Sequence, residues 1–210
     1  MRKTLSVVAL MFCGLWSLQA VAGSSICDGI VGNLVANCGF ESGNFNGWTV
    51  GGNTANPGSN YYGVDGFDAN SGNFGAYMSE DLLSSSSAVT LSQTLATVAG
   101  QQYGISFWLQ QDTPPAVGYN HSFTAIFGGS TMLTLTPTVS APGPNGVWTE
   151  YTFYETATSS STLLSFSFVN DDGYWSFDDA SVVTPEPATG LLAGTAVFAL
   201  LLLRRKYCVV

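Results

Sequence analysis

Between Gly23 and Val183 the dominant hydrophobic period is two. Tyr103, Ile105, Phe107 and Leu109 alternate with Gly104, Ser106, Trp108 and Gln110. This predicts a strand with one apolar face, because successive side chains of extended backbone point to opposite sides. The alternation recurs in Phe123, Ala125 and Phe127, in Tyr151 and Phe153, and in Leu164, Phe166 and Phe168. Further strands are expected around Phe74 to Met78, Val89 to Leu95, Thr131 to Thr136 and Phe177 to Val183. No long stretch outside the termini has helical periodicity. The Ser84 to Ser87 run, Pro114-Pro115 and Thr158 to Ser161 read as turns. Many short strands joined by Gly, Asn, Pro and Ser predict an all-β chain, an antiparallel β-sandwich of jelly-roll type.

The two ends follow a different pattern. Arg2 and Lys3 precede an apolar stretch from Leu5 to Leu18, followed by Ala20-Val21-Ala22. This is the layout of a secretory signal peptide over residues 1–22, with cleavage expected before Gly23. Cys13 lies inside that hydrophobic run, after the bulky Phe12, and leaves with it. At the other end, Pro185-Glu186-Pro187 is followed by an uncharged, leucine-rich run over 188–203 and then by Arg204-Arg205-Lys206. The two prolines impose an extended spacer. As a helix the run falls short of the ~30 Å hydrocarbon core, so it is expected to span with help from its flanks. Short Pro-Glu-Pro motif, hydrophobic helix and basic cluster, in that order, resemble the PEP-CTERM sorting signal. The extension Tyr207 to Val210 departs from that pattern. The resemblance implies an inner-membrane precursor processed by an exosortase-type enzyme, then delivery to the surface or extracellular matrix of a Gram-negative cell. The expected organisation is a signal peptide over 1–22, an ectodomain over 23–183 and a sorting signal over 184–210.

Charge placement supports this orientation. The chain has five Lys and Arg, namely Arg2, Lys3, Arg204, Arg205 and Lys206, and all of them flank the hydrophobic ends. By the positive-inside rule the tail stays cytoplasmic and the region between is exported. That region holds all fourteen acidic residues and no Lys or Arg, a formal charge of −14. Nucleic-acid binding is excluded, because nothing is available to neutralise phosphates. No glycine-rich phosphate or dinucleotide fingerprint is present. Any buried carboxylate must be hydrogen-bonded, protonated or held by a cation.

Within the ectodomain, Asn33-Leu34-Val35, Asn37 to Gly43 and Gly47-Trp48 open a pattern that closes with Trp175 to Val182. Leu91 to Leu95 and Gly100 to Trp108 fit between them. The pattern resembles galactose-binding-like and carbohydrate-binding jelly rolls. This resemblance implies the fold, and it implies that Glu41 and Asp178 hold a structural calcium ion. By simple alternation Asp178 shares the inward face of Ala180 and Val182. The alternative is that Glu41 accepts N–H bonds from a turn and Asp178 caps a strand. Calcium would suit an inward carboxylate, since it prefers oxygen ligands. Cys27 and Cys38 are the cysteines left in the exported region, and in an oxidising compartment they are expected to form a disulfide.

Trp108, on the face opposite Ile105 and Phe107, stands with Ser106 and Gln110 and is the leading candidate to stack on a sugar ring. Tyr61, Tyr62 and Phe67, in a Gly/Asn-rich segment, could add a rim platform. An aromatic in a sandwich more often belongs to the core. Catalysis has weaker support. His121 is the single histidine and no Gly-x-Ser-x-Gly elbow accompanies it, while Glu150 and Glu155 have opposite strand parity. The leading expectation is therefore a non-enzymatic envelope or matrix protein that associates with exopolysaccharide. The alternatives are a structural surface protein without a discrete ligand, and a secreted glycan-active enzyme.

Overall fold

The computed structural model describes residues 24–52, 61–79, 88–112, 114–138, 143–144 and 146–185. The expected signal peptide, Glu186, Pro187, the apolar run over 188–203 and the cluster with Arg204 and Arg205 lie outside the described residues. Among the described residues no helix is long and apolar enough to cross a membrane.

Among the described residues a short 3-10 turn, Ile26–Gly29, precedes ten strands. These are β1 (Thr49–Gly52), β2 (Tyr62–Asp65), β3 (Gly75–Met78), β4 (Val89–Ala96), β5 (Gln102–Gln111), β6 (His121–Phe127), β7 (Ser130–Leu135), β8 (Thr149–Thr156), β9 (Ser161–Asn170) and β10 (Trp175–Val183). They form two five-stranded sheets, ordered β1-β4-β9-β6-β7 and β2-β3-β10-β5-β8. All pairings are antiparallel. The jelly-roll sandwich expected from alternation is the observed fold. The short, glycine-containing strands β1 and β2, which lie at the sheet edges, were not anticipated.

Alternation becomes packing as expected. On β5 the side chains of Tyr103, Ile105, Phe107 and Leu109 are buried, while Ser106, Trp108 and Gln110 are half-buried on the opposite face. The Phe107 ring meets Phe166, Phe123 and Phe177 at centroid distances of 5.1, 5.5 and 5.8 Å, which joins the sheets through one aromatic core. Fully burying each such ring contributes about 1.5–3 kcal/mol.

The central strand β10 breaks the simple pattern. Its register against β5 shifts between Asp178 and Ser181, and Asp179 adopts a left-handed φ of 52°. A bulge of this kind inserts a residue and reverses parity. Trp175 and Phe177 point into the core before it, and Ala180 and Val182 do so after it. Asp178 therefore shares the outward face of Ser176, and the inward placement expected for it is corrected. Segment 33–38 runs along the bulge: Ala180 N–H donates to Cys38 O at 3.0 Å and Leu34 N–H donates to Val182 O at 2.9 Å. The expected Cys27–Cys38 disulfide is present and holds the 3-10 turn to this segment.

Candidate functional site

The outward face of the β2-β3-β10-β5-β8 sheet carries the polar and aromatic residues that the core does not use. Tyr77 on β3 faces Gly63 on β2 in the register. A Cβ at Gly63 would collide with the Tyr77 phenol, so glycine lets the ring lie across the neighbouring strand. The loop after β2 is organised by Asp65, whose Oδ1 accepts the N–H groups of Phe67 at 2.8 Å and Asp68 at 3.2 Å. Such an Asx turn is a local preference of aspartate. It presents Asp68 to Ser176, whose hydroxyl donates to the Asp68 carboxylate. Phe67, at the loop tip, is 98 % exposed.

Tyr174, in the turn before β10, is fixed by a reciprocal pair with Asp112. Its N–H donates to Asp112 Oδ1 at 2.6 Å and its carbonyl accepts from Asp112 N–H at 3.1 Å. The Tyr77 and Tyr174 rings meet edge to face, with centroids 5.5 Å apart and an 88° interplanar angle. Together Asp65, Asp68, Tyr77 and Tyr174 line a depression of about 250 Å³. Burial pushes the Asp68 carboxyl up to about 6; the Ser176 hydroxyl opposes this and the nearby Asp65 and Asp112 charges add to it. Burial, with the same acidic surroundings, also raises both phenols.

Below the loop lies a second acidic group. Asp178 Oδ2 accepts the N–H groups of Asn70 at 2.9 Å and Ser71 at 3.1 Å, while its Oδ1 accepts Asp179 N–H at 2.7 Å. Asp179 accepts from Ser25 Oγ at 2.5 Å, Ser71 Oγ at 2.8 Å and Asn70 Nδ2 at 2.8 Å. Glu41 grips the same loop further on, accepting from Asn73 N–H at 2.9 Å and Phe74 N–H at 3.1 Å. Gly72, with φ of 71°, sits against the Glu41 carboxylate where a Cβ would collide with it. Burial, followed by the adjacent Asp179 charge, raises Asp178 to about 8 against the pull of its N–H donors.

Glu41 and Asp178 thus both accept from N–H groups of one loop, at Asn73 and Phe74 and at Asn70 and Ser71 respectively. Their hard oxygens and the lack of any Lys or Arg in the region suit a divalent cation. Their oxygens, however, face N–H groups. In this arrangement hydrogen bonds tether the loop, and a cation would have to replace some of them. Elsewhere, Cys27, Asp28 and Cys38 bring three candidate ligand atoms within 4.8 Å, but the two sulfurs are consumed by the disulfide.

The other expected residues are distributed unevenly. Trp108 and Gln110 stand on the outward face, opposite Asp178 and Ser176 of β10. Tyr62 packs toward the core, with its ring 6.2 Å from Phe45, so it is not part of a rim platform. An edge strand inserted where a loop was expected accounts for that difference. Tyr61 lies close enough to Tyr174 to influence its phenol. Pro185, the first residue of Pro-Glu-Pro, lines a separate depression of about 290 Å³ with Gly104, Glu150, Tyr154 and Val183. The sequence reading missed the Asp65, Asp68, Tyr77 and Tyr174 grouping. Asp65-Gly66-Phe67-Asp68 was its visible signal, an Asx-turn sequence that carries an exposed aromatic.

His121, at the start of β6, is buried. Its Nδ1 accepts from Gln111 Nε2 at 2.9 Å, and its Nε2 lies 3.0 Å from Asp172 Oδ1. Only the Gln111 contact is a hydrogen bond, since His121 Nε2 and Asp172 Oδ1 approach without hydrogen-bond geometry, and the buried ring has a structural role. Glu150 is exposed whereas Glu155 is half-buried on the Tyr151 and Phe153 side, in keeping with their opposite parity.

Residues 183–206 match the PEP-CTERM protein-sorting motif, so the chain carries a signal for export and exosortase processing. No curated protein matches the chain in sequence. Among solved structures, the carbohydrate-binding module TmCBM61 in complex with β-1,4-galactotriose superposes with a TM-score of 0.50 at 19 % identity, over 73 % of this chain and 99 % of that one. The enzymatically active domain of bacteriophage CBA120 tailspike protein 4 also gives 0.50, at 13 % identity, over 73 % of this chain and 21 % of that one. A family 16 carbohydrate-binding module gives 0.48 at 14 % identity, over 72 % and 99 %. The protein is therefore an all-β sandwich with the jelly-roll fold of carbohydrate-binding modules, joined to a PEP-CTERM sorting motif.

Proposed function

We propose that this protein is an exported, non-catalytic glycan-binding module of the cell envelope or matrix, which engages an exopolysaccharide through the outward face of the β2-β3-β10-β5-β8 sheet. The observation that carries this reading is the depression lined by Asp65, Asp68, Tyr77 and Tyr174, with Phe67 exposed beside it. Aromatic rings cover the apolar faces of sugars, and carboxylates accept from their hydroxyl groups. Trp108 extends the same face two strands away from β3, across β10. The fold shared with TmCBM61, whose structure holds a galactotriose, supports the reading. The sorting motif supports delivery to the surface of a Gram-negative cell, where such polymers are found.

Affinity electrophoresis of the full chain in detergent, through gels containing the polysaccharides of its own cell surface, tests the proposal. Retardation that is lost in Tyr77→Ala and reduced in Phe67→Ala is expected. Unretarded migration of the native chain in every glycan, or retardation unchanged in both variants, would reject it. Release of new reducing ends during the assay would point to the enzymatic alternative.

A further inference from the structure

Resting on the glycan-binding reading, we propose that the Tyr77–Tyr174 pocket selects an amino sugar, with the ammonium group received by Asp65 and Asp68. The lining decides the sign of the ligand. Among the described residues its charged groups are the carboxylates of Asp65 and Asp68, Asp112 stands behind Tyr174, and the whole exported region contains no Lys or Arg to offset them. A uronic or sulfated sugar would bring a second negative charge into a field that already carries the region's −14. An ionised carboxylate accepts hydrogen bonds and cannot donate them, so a ligand rich in N–H donors complements this pocket. The ammonium of a deacetylated hexosamine supplies both the donors and the missing positive charge.

The walls decide between a sugar and a bare ion. At ~30 Å³ per water, a depression of about 250 Å³ has room for roughly eight waters, which is ring-sized. The edge-to-face pair of Tyr77 and Tyr174 supplies apolar surface that an ion does not use but a pyranose does. An aromatic face also attracts an adjacent ammonium. Among the described residues, Asp65, Asp68 and Asp112 do not bring three ligand atoms together as a metal site requires; the sole such group is Cys27, Asp28 and Cys38.

The test compares the full chain in detergent with four probes at fixed ionic strength: a β-1,4-linked glucosamine oligomer, its fully N-acetylated counterpart, a uronate oligomer and a lysine-rich peptide of equal charge. Acetylation removes the charge and keeps the ring. The glucosamine oligomer is expected to bind about tenfold or more tightly than the N-acetylated form, with no uronate binding. Asp68→Asn and, separately, Asp65→Asn should abolish that preference, whereas Glu155→Gln, which removes one charge away from the pocket, should preserve it. Thermal unfolding of each variant establishes that it is folded. Equal affinity for the amine and N-acetyl forms would overturn the amino-sugar inference while leaving glycan binding intact. Binding of no glycan would remove both readings. An equal loss in Glu155→Gln would reduce the effect to general attraction, and peptide binding with the same Asp68 dependence would make this a protein-docking site instead. Either result overturns the proposal.

Discussion

Asp178 on β10 stands directly opposite Trp108 on β5, so a buried carboxylate and the indole share the outward face of one sheet. The bulge at Asp179 creates this relationship by reversing the parity of the strand. It lets β10 keep Phe177 and Ala180 in the core while turning Asp178 toward the loop that carries Asn70 and Ser71. The loop that lines the candidate pocket is therefore anchored on the same carboxylate.

That anchor makes stability depend on pH. The folded pKa of Asp178 is about 8 against an ordinary 3.8, because burial and Asp179 disfavour the charged form. The folded state consequently holds a proton that the unfolded chain has lost between those values. Its contribution is fully present below about pH 4 and is lost as pH rises toward 8. Asp68 acts with the same sign over a shorter window that ends at about 6. The melting temperature is expected to fall across this range, and to fall less in Asp178→Asn. A variant with the native pH profile would remove Asp178 as the cause.

The disulfide gives a second prediction. It closes a loop with a sequence separation of 11 residues and secures the segment whose Cys38 carbonyl accepts from Ala180 N–H at the bulge. Loss of both sulfurs in Cys27→Ser with Cys38→Ser should cost about 2–3 kcal/mol by the chain-entropy estimate. For a domain of this size that corresponds to a melting temperature lower by roughly 4–12 °C. Unchanged melting in the double variant would show that the bulge holds without the cross-link.

Much of this architecture was legible in the chain because alternation records burial wherever a strand has one wet and one dry face. β5 and β9 display it, and their inward residues are those of the core. The cysteine pair was legible because export restricts what two thiols can do. The orientation of Asp178 was not, since a bulge leaves no mark in a two-residue period. Edge strands β1 and β2 were hidden by glycines, whose role at Gly63 is to make room for Tyr77 and not to fill a core. The candidate pocket joins β2, β3 and the turn before β10, and sequence order gives no measure of that proximity.

The sorting motif predicts a processing defect that leaves the sandwich intact. The matched residues begin at Val183, the last residue of β10, so the motif follows the folded domain without an intervening linker. Replacing Pro185-Glu186-Pro187 with alanines retains the apolar run and the basic cluster. Precursor should accumulate in the inner membrane while the melting temperature of the ectodomain stays unchanged. Native processing and surface arrival would show that the tail acts as a plain anchor.

Calcium provides the last test, because it separates tethering by hydrogen bonds from tethering by an ion. Glu41 and Asp178 belong to no group of three converging ligand atoms among the described residues, so we propose that their loop takes up a structural calcium ion in a calcium-rich medium only by rearranging, exchanging some N–H contacts for ion contacts. An ion that binds only the folded state adds about 2.7 kcal/mol when it is about 100-fold above its dissociation constant. Calcium should therefore raise the melting temperature more than sodium chloride at matched ionic strength. The increment should grow from pH 6 to pH 8, as Asp178 becomes easier to ionise and bind. Asp178→Asn should diminish it. Equal responses to calcium and sodium would reduce the effect to screening of the −14 charge. In that case hydrogen bonds alone tether the loop, those from the N–H groups of Asn70, Ser71, Asn73 and Phe74 among them.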